Sequence, residues 1–142
     1  MSAFRFCHRL QVRFRDCDPL GHVNNSVYLT YVEQAHLAYW TELGGGSFSV
    51  LQPGLILARA ECDYVRPATP GEWLDVWVGT TRIGRTSFTM ECEILGADGQ
   101  LVARTRTIQV MYDYAAAKPV PVPAPFRAKM EEYEGRTLGQ EA

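Results

Sequence analysis

The sequence predicts an α+β fold in which one long helix packs on an antiparallel sheet of five strands. Three observations carry this. Apolar residues alternate with period two, most plainly over residues 4–14, 73–82 and 86–95. A single segment, Ser26 to Leu43, carries a helical stripe instead. The last four strand segments are joined by short, turn-like links, which suit antiparallel neighbours.

The first strand runs from Phe4 to Phe14. Phe4, Phe6, His8, Leu10, Val12 and Phe14 point one way, and Arg5, Cys7, Arg9, Gln11 and Arg13 the other. The loop Asp16-Cys17-Asp18-Pro19-Leu20-Gly21-His22-Val23-Asn24-Asn25 follows. Pro19 biases Asp18 toward an extended backbone, so the helix has not begun there. Helical spacing then groups Val27, Tyr28, Tyr31, Val32, Ala35, Ala38, Tyr39 and Leu43. Asn24 or Asn25 is the expected N-cap, and Gly44-Gly45-Gly46 ends the helix.

The second strand spans 54–65 and breaks at Arg66-Pro67 and Thr69-Pro70-Gly71. The third, 73–82, alternates Leu74, Val76 and Val78 against Trp73, Asp75 and Trp77. Gly84-Arg85 turns the chain into the fourth, 86–95, with Phe88, Met90, Cys92 and Ile94 on one face. Ala97-Asp98-Gly99-Gln100 is a hairpin signal before the fifth, 101–112. The proline run 118–125 excludes regular helix or a central strand. The chain is therefore expected to be one domain over 1–142. Its core is residues 1–117, and 118–142 is a proline-rich tail with a short polar helix near 126–134. Long sheet edges imply a partner, expected to be a second copy of the chain in a homodimer or homotetramer.

A length of 142 residues suits one domain, and a formal charge of −2 argues against a nucleic-acid partner. Twelve arginines against two lysines hint at a phosphate-bearing ligand, because arginine binds phosphate in two-pronged fashion. Cys7, Cys17, Cys62 and Cys92 form no CxxC pair and do not cluster with His8, His22 and His36, so no metal is expected. No apolar run reaches membrane-spanning length, and no secretory h-region opens the sequence; no membrane partner and a cytoplasmic location are expected.

The loop before the helix is the most informative stretch. A helix start offers unpaired N–H groups and a partial positive charge, so a carboxylate beside it faces a site able to polarise a carbonyl. With Val12-Arg13-Phe14-Arg15 before it and Tyr28, Tyr31 and Glu33 after it, this loop resembles that of the hotdog-fold acyl-CoA thioesterases. The resemblance is to the 4-hydroxybenzoyl-CoA thioesterase and YbgC-like branch. Residues 62–68 with Gly71-Glu72, and residues 84–88, resemble its later strands and turns. The resemblance implies a long helix wrapped by a curled sheet, dimerisation with active sites between subunits, and an acyl-CoA substrate with no cofactor. It implies that Asp18 is the catalytic carboxylate and that the Asn25 backbone N–H polarises the thioester carbonyl. Arg85 would meet nucleotide phosphates, with Arg82, Ser87, Arg66 and Asn24 as further substrate contacts. Some members carry an apolar or aromatic pair where this chain has His22 and Asn24.

A thioester is an easy acyl donor, since its leaving thiol has a pKa of roughly 8.5 and needs no strong general acid. Asp18 then acts as general base toward water or as a nucleophile forming a mixed anhydride. Asp16 reads as structural, paired with Arg13 or Arg15. His22 is a base, a loop-fixing hydrogen-bonding group or a substrate contact. Glu33, an acid on the helix, is the competitor to Asp18. An acyl-carrier-protein thioesterase and a non-catalytic acyl-CoA-binding protein are the alternatives.

Overall fold

In a computed structural model, the structure describes residues 2–139. Strand β1 is Phe6–Gln11, helix α1 is Val27–Leu43, and β2 to β5 are Leu55–Tyr64, Trp73–Ile83, Ser87–Gly96 and Leu101–Asp113. A two-residue strand β6 (Lys118–Pro119) and helix α2 (Ala124–Glu134) follow. All pairings are antiparallel, in the order β1-β3-β4-β5-β2, with β6 added to β5. Register shifts at Leu57/Arg59 and Thr80/Arg82 mark irregularities where a strand bends. The sheet wraps α1, which is the hotdog arrangement.

The alternating positions of the central strands are buried as their sequence requires. Leu74, Val76, Val78, Phe88, Met90, Cys92 and Ile94 all lie against α1 or α2 in one core. From the helix come Tyr28, Tyr31, Val32, Ala35, Tyr39 and Leu43, together with His36 and Trp40, which the expected stripe omitted. Each large side chain so buried contributes about 1.5–3 kcal/mol.

The structure departs from the sequence reading in three places. The first strand is shorter, because the chain leaves it at Gln11 and makes a 3-10 turn over Phe14–Asp16. Phe14 is therefore 86% exposed instead of inward-facing. Neither asparagine is the N-cap: Ser26 precedes the first helical residue with no side-chain cap, and Asn24 instead holds Ser26 from outside the helix.

The proline-rich segment also does more than trail away. Lys118–Pro119 pairs with β5, and Val122, Phe126, Met130 and Leu138 are buried in the same core. Glu134 Oε2 accepts from the Tyr39 hydroxyl at 2.6 Å and from the Thr80 N–H at 3.1 Å. The helix that reads as polar thus has an apolar underside. The proline rule still holds, since β6 sits at an edge.

The sheet has two outer edges, β1 and β2. Strand β2 is exposed along most of its length, with Leu57 and Tyr64 about half exposed and Val65 after it likewise. No helix among the described residues is long and apolar enough to cross a membrane.

Candidate active site

The loop between β1 and α1 is built on Asp16. Its carboxylate is buried and accepts from the Arg13 N–H at 2.9 Å, the Arg13 guanidinium at 3.1 Å and the Tyr31 hydroxyl at 2.7 Å. Burial alone raises this carboxyl's pKa, but the Tyr31 and Arg13 donors outweigh it and hold the pKa below the ordinary value. Asp16 also accepts the Asn24 N–H at its backbone oxygen. It therefore ties together the strand exit, the helix and the residues before the helix.

From this anchor the chain makes a tight excursion over residues 17–23. Cys17 bridges Val23, the Asp18 N–H donates to the His22 carbonyl, and the Gly21 N–H donates to the Asp18 carbonyl. Gly21 takes φ 85°, a left-handed value that glycine tolerates at little cost. At the tip, Asp18 is half-buried, and its Oδ1 accepts only the Leu20 N–H at 2.9 Å among the described residues. No ion pair engages it among those residues. Asp18 thus keeps carboxylate lone pairs for other work.

The backbone leading into α1 is almost fully hydrogen-bonded. Val23 N–H donates to Ala68, Asn24 N–H to Asp16, Ser26 N–H to the Asn24 side chain and Val27 N–H to the Asn24 carbonyl. The Asn25 N–H is the exception: no acceptor meets it among the described residues. The Asn25 carbonyl accepts the Tyr64 hydroxyl at 2.9 Å, which pins this residue to the end of β2. A cleft of about 320 Å³ opens here, lined by His22, Asn25, Tyr28, Tyr64, Arg66 and neighbours. Tyr28 and Tyr64 meet edge to face, with centroids 5.3 Å apart. Tyr28 reads from sequence as core packing and Tyr64 as one strand residue among many. Only their aromatic character next to the loop hinted at a cleft wall.

Asp18 is not among the residues that line this cleft, and the remaining expected residues are not all brought to it. Arg66 lines it, but its guanidinium is held by Glu72 at 2.7 Å and Asp98 at 3.4 Å. The Asn24 side chain is occupied by Ser26. Glu33 is exposed and borders a different cavity, along the flank of α1.

Arg82, Arg85 and Ser87 lie at the opposite end of the sheet. Ser87 pairs with Val110, which pairs with Ile56, whereas Tyr64 pairs with Ala103 near the helix start. The two rows are about 26 Å apart along β2 at roughly 3.3 Å per residue. Within one protomer the arginine turn and the Asp18 loop do not meet.

Comparison with known proteins agrees with this fold. A family profile described as the thioesterase-like superfamily matches residues 12–130. A thioesterase from Thermus thermophilus, solved with coenzyme A and zinc, is 36% identical, with TM-score 0.86 over 97% of this chain and 100% of that one. A 1,4-dihydroxy-2-naphthoyl-CoA thioesterase from Synechocystis, Slr0204, is 27% identical, with TM-score 0.78 over 88% and 94%. An uncharacterized protein, YsmA, from Bacillus subtilis (strain 168) is 33% identical over 89 residues, 63% of this chain. The matched stretch spans 60% of the length of that curated relative. On the profile match and the full-length likeness to the Thermus protein, the chain belongs to the thioesterase-like superfamily.

Proposed function

We propose that the chain hydrolyses acyl-CoA thioesters, with Asp18 as general base or nucleophile and the Asn25 N–H as the donor to the thioester oxygen. The observation that carries this reading is the Asn25 amide at the start of α1, which meets no acceptor among the described residues, beside a loop whose Asp18 has no ion-pair partner among them. An N–H aimed from a helix start favours charge developing on a carbonyl oxygen in the transition state. Tyr64 fixes the residue that carries this donor, so little reorganisation accompanies reaction.

Asp18 delivers the oxygen. As general base it takes a proton from water, which attacks the carbonyl carbon. The tetrahedral intermediate then expels the CoA thiolate, which needs little protonation because thiols are acidic for leaving groups. As nucleophile it forms an aspartyl anhydride that water opens. His22 lines the same cleft, and its ring has no hydrogen-bond partner among the described residues. It serves as a contact for substrate or attacking water.

The working unit is a homodimer formed through β2. Antiparallel pairing of two such edges sets the Tyr64 end of one copy beside the Leu55 end of the other. That brings the second copy's Arg82, Arg85 and Ser87 toward the cleft, which one protomer alone cannot do. Arginines there suit the phosphates of CoA. Four cysteines without a disulfide favour the reducing cytoplasm as the compartment.

Free-thiol release from short, medium, long, branched and aromatic acyl-CoAs tests the reading. Turnover of at least one class is expected, and silence across the panel from folded protein rejects it. The same acyl group carried on acyl-carrier protein should react more slowly. Arg85→Ala should raise KM for the CoA ester several-fold, an effect that shrinks as salt is added. Sedimentation of the wild type should give a dimer or a multiple of one. Ala60→Pro in mid-β2 should lower both that mass and the activity.

A further inference from the structure

A second cavity, of about 420 Å³, runs along α1 from Leu29 to Trp40 and opens, in the single protomer, beside the β2 edge at Leu55 and Leu57, which the proposed dimer would pair. Its size suits a small-molecule site. It lies along one face of α1, where Leu29, Val32, His36 and Trp40 follow one another at spacings of three, four and four, and Asn25 stands two residues before the helix begins. From Val27, its first residue, to His36 the helix advances about 14 Å at 1.5 Å per residue. A chain entering the cavity from a carbonyl held at Asn25 therefore reaches His36 with its distal half.

The walls are leucines, but the inner surface is not wholly apolar. His36 and Gln109 both line the cavity and are 3% and 5% exposed. His36 Nε2 has only the Cys92 sulfur, at 3.6 Å, and Gln109 Nε2 reaches the Thr107 hydroxyl at 3.5 Å. Among the described residues, His36 Nδ1 and Gln109 Oε1 have no partner. Neither is sealed off like the orphan Trp40 indole N–H. Two buried polar groups with unmet capacity beside an open cavity are costly unless a ligand or water completes them.

The charge of that ligand is restricted. Burial pushes the His36 pKa down to about 4, so the ring is neutral at physiological pH and offers no counter-charge to an acid. Glu33 at the border repels an anionic chain end. A hydroxyl satisfies both groups without a charge, accepting from the His36 Nδ1–H and donating to Gln109 Oε1.

Resting on the thioesterase reading, we infer that this cavity holds the acyl chain and that His36 and Gln109 select one carrying a hydroxyl in its distal half. The test compares kcat/KM for decanoyl-CoA and 10-hydroxydecanoyl-CoA, with 8- and 12-carbon analogues bracketing the length. The hydroxylated ester should be preferred about fivefold to tenfold at the best length, the size of one or two neutral hydrogen bonds. Gln109→Leu and, separately, His36→Leu should reduce the ratio toward one. Hydrolysis of both esters with a wild-type ratio at or below one at every length overturns the inference and leaves the thioesterase reading standing. If no ester is cleaved, the thioesterase reading fails alone. Calorimetric binding of 10-hydroxydecanoic against decanoic acid then decides whether the cavity prefers the oxygen. Equal binding, or a preference that survives both substitutions, overturns it.

Discussion

Asp16 and Asp18 stand two residues apart in one loop and occupy opposite environments. Asp16 is buried, with an arginine, a backbone amide and a tyrosine hydroxyl all donating to its carboxylate. Asp18 is half-buried and meets one backbone amide. The difference is one of spent and unspent capacity. A carboxylate whose lone pairs are mostly engaged stabilises structure; one that is held in place yet mostly unengaged is able to accept a proton or attack a carbon. The first holds the loop so that the second stays where it is.

The comparison breaks most sharply at Asp18. Asp18→Asn should cut turnover by roughly 10²–10⁴ if Asp18 is the base, with the melting temperature nearly unchanged. A variant that keeps a third or more of its activity would move the catalytic role elsewhere, with Glu33 the first candidate to substitute next. Asp16→Ala should do the reverse in kind. It strands the buried Tyr31 hydroxyl and frees Arg13, costing about 2–3 kcal/mol of stability in urea melts. Activity per folded molecule should fall less than in the Asp18 variant.

Tyr31→Phe removes only one of the three donors, so it should cost about 1 kcal/mol and leave the loop recognisable by its kinetics. Full stability in that variant would mean that Arg13 alone anchors Asp16. A separate effect is read in acid. The folded pKa of Asp16 lies below its unfolded value, so its contribution is present above about pH 4 and fades as pH falls below that. His36 has a folded pKa near 4 against an unfolded 6.5, so the unfolded chain takes up its proton first. Stability should therefore decline from about pH 6.5 to about pH 4 through His36, and decline further below about pH 4 through Asp16. Asp16→Ala should flatten the lower step and His36→Leu the upper one, both measured by melts across pH.

Much of this was legible in the residues. Period-two runs such as Leu74-Val76-Val78 and Phe88-Met90-Cys92-Ile94 can bury only one face, and that face is buried. The Asp18 loop was legible because proline, glycine and a following helical stripe together fix where a helix begins. Phe14 misled, because alternation continues past Gln11 while the backbone does not, and nothing local marks the 3-10 turn. The underside of α2 was hidden by its charged neighbours, although Phe126 and Met130 sit four apart, the spacing of one helix face. His36 and Gln109 were missed for a different reason. Each is polar on an inward face, where the apolar pattern simply skips it, and only the packed structure reveals that both meet one cavity. The separation of Arg85 from Asp18 was equally invisible, since it depends on strand register.

Helix α2 has a consequence for biosynthesis. Phe126 packs edge to face on Phe88, and Glu134 caps the Tyr39 hydroxyl at the heart of α1. Until residues 126–138 are clear of the ribosome, the nascent sheet has an unroofed patch around Phe88 and Thr80. The loop bearing Asp18 can be spelled out early in translation, yet the interior under α1 closes only when residues 126–138 emerge from the exit tunnel.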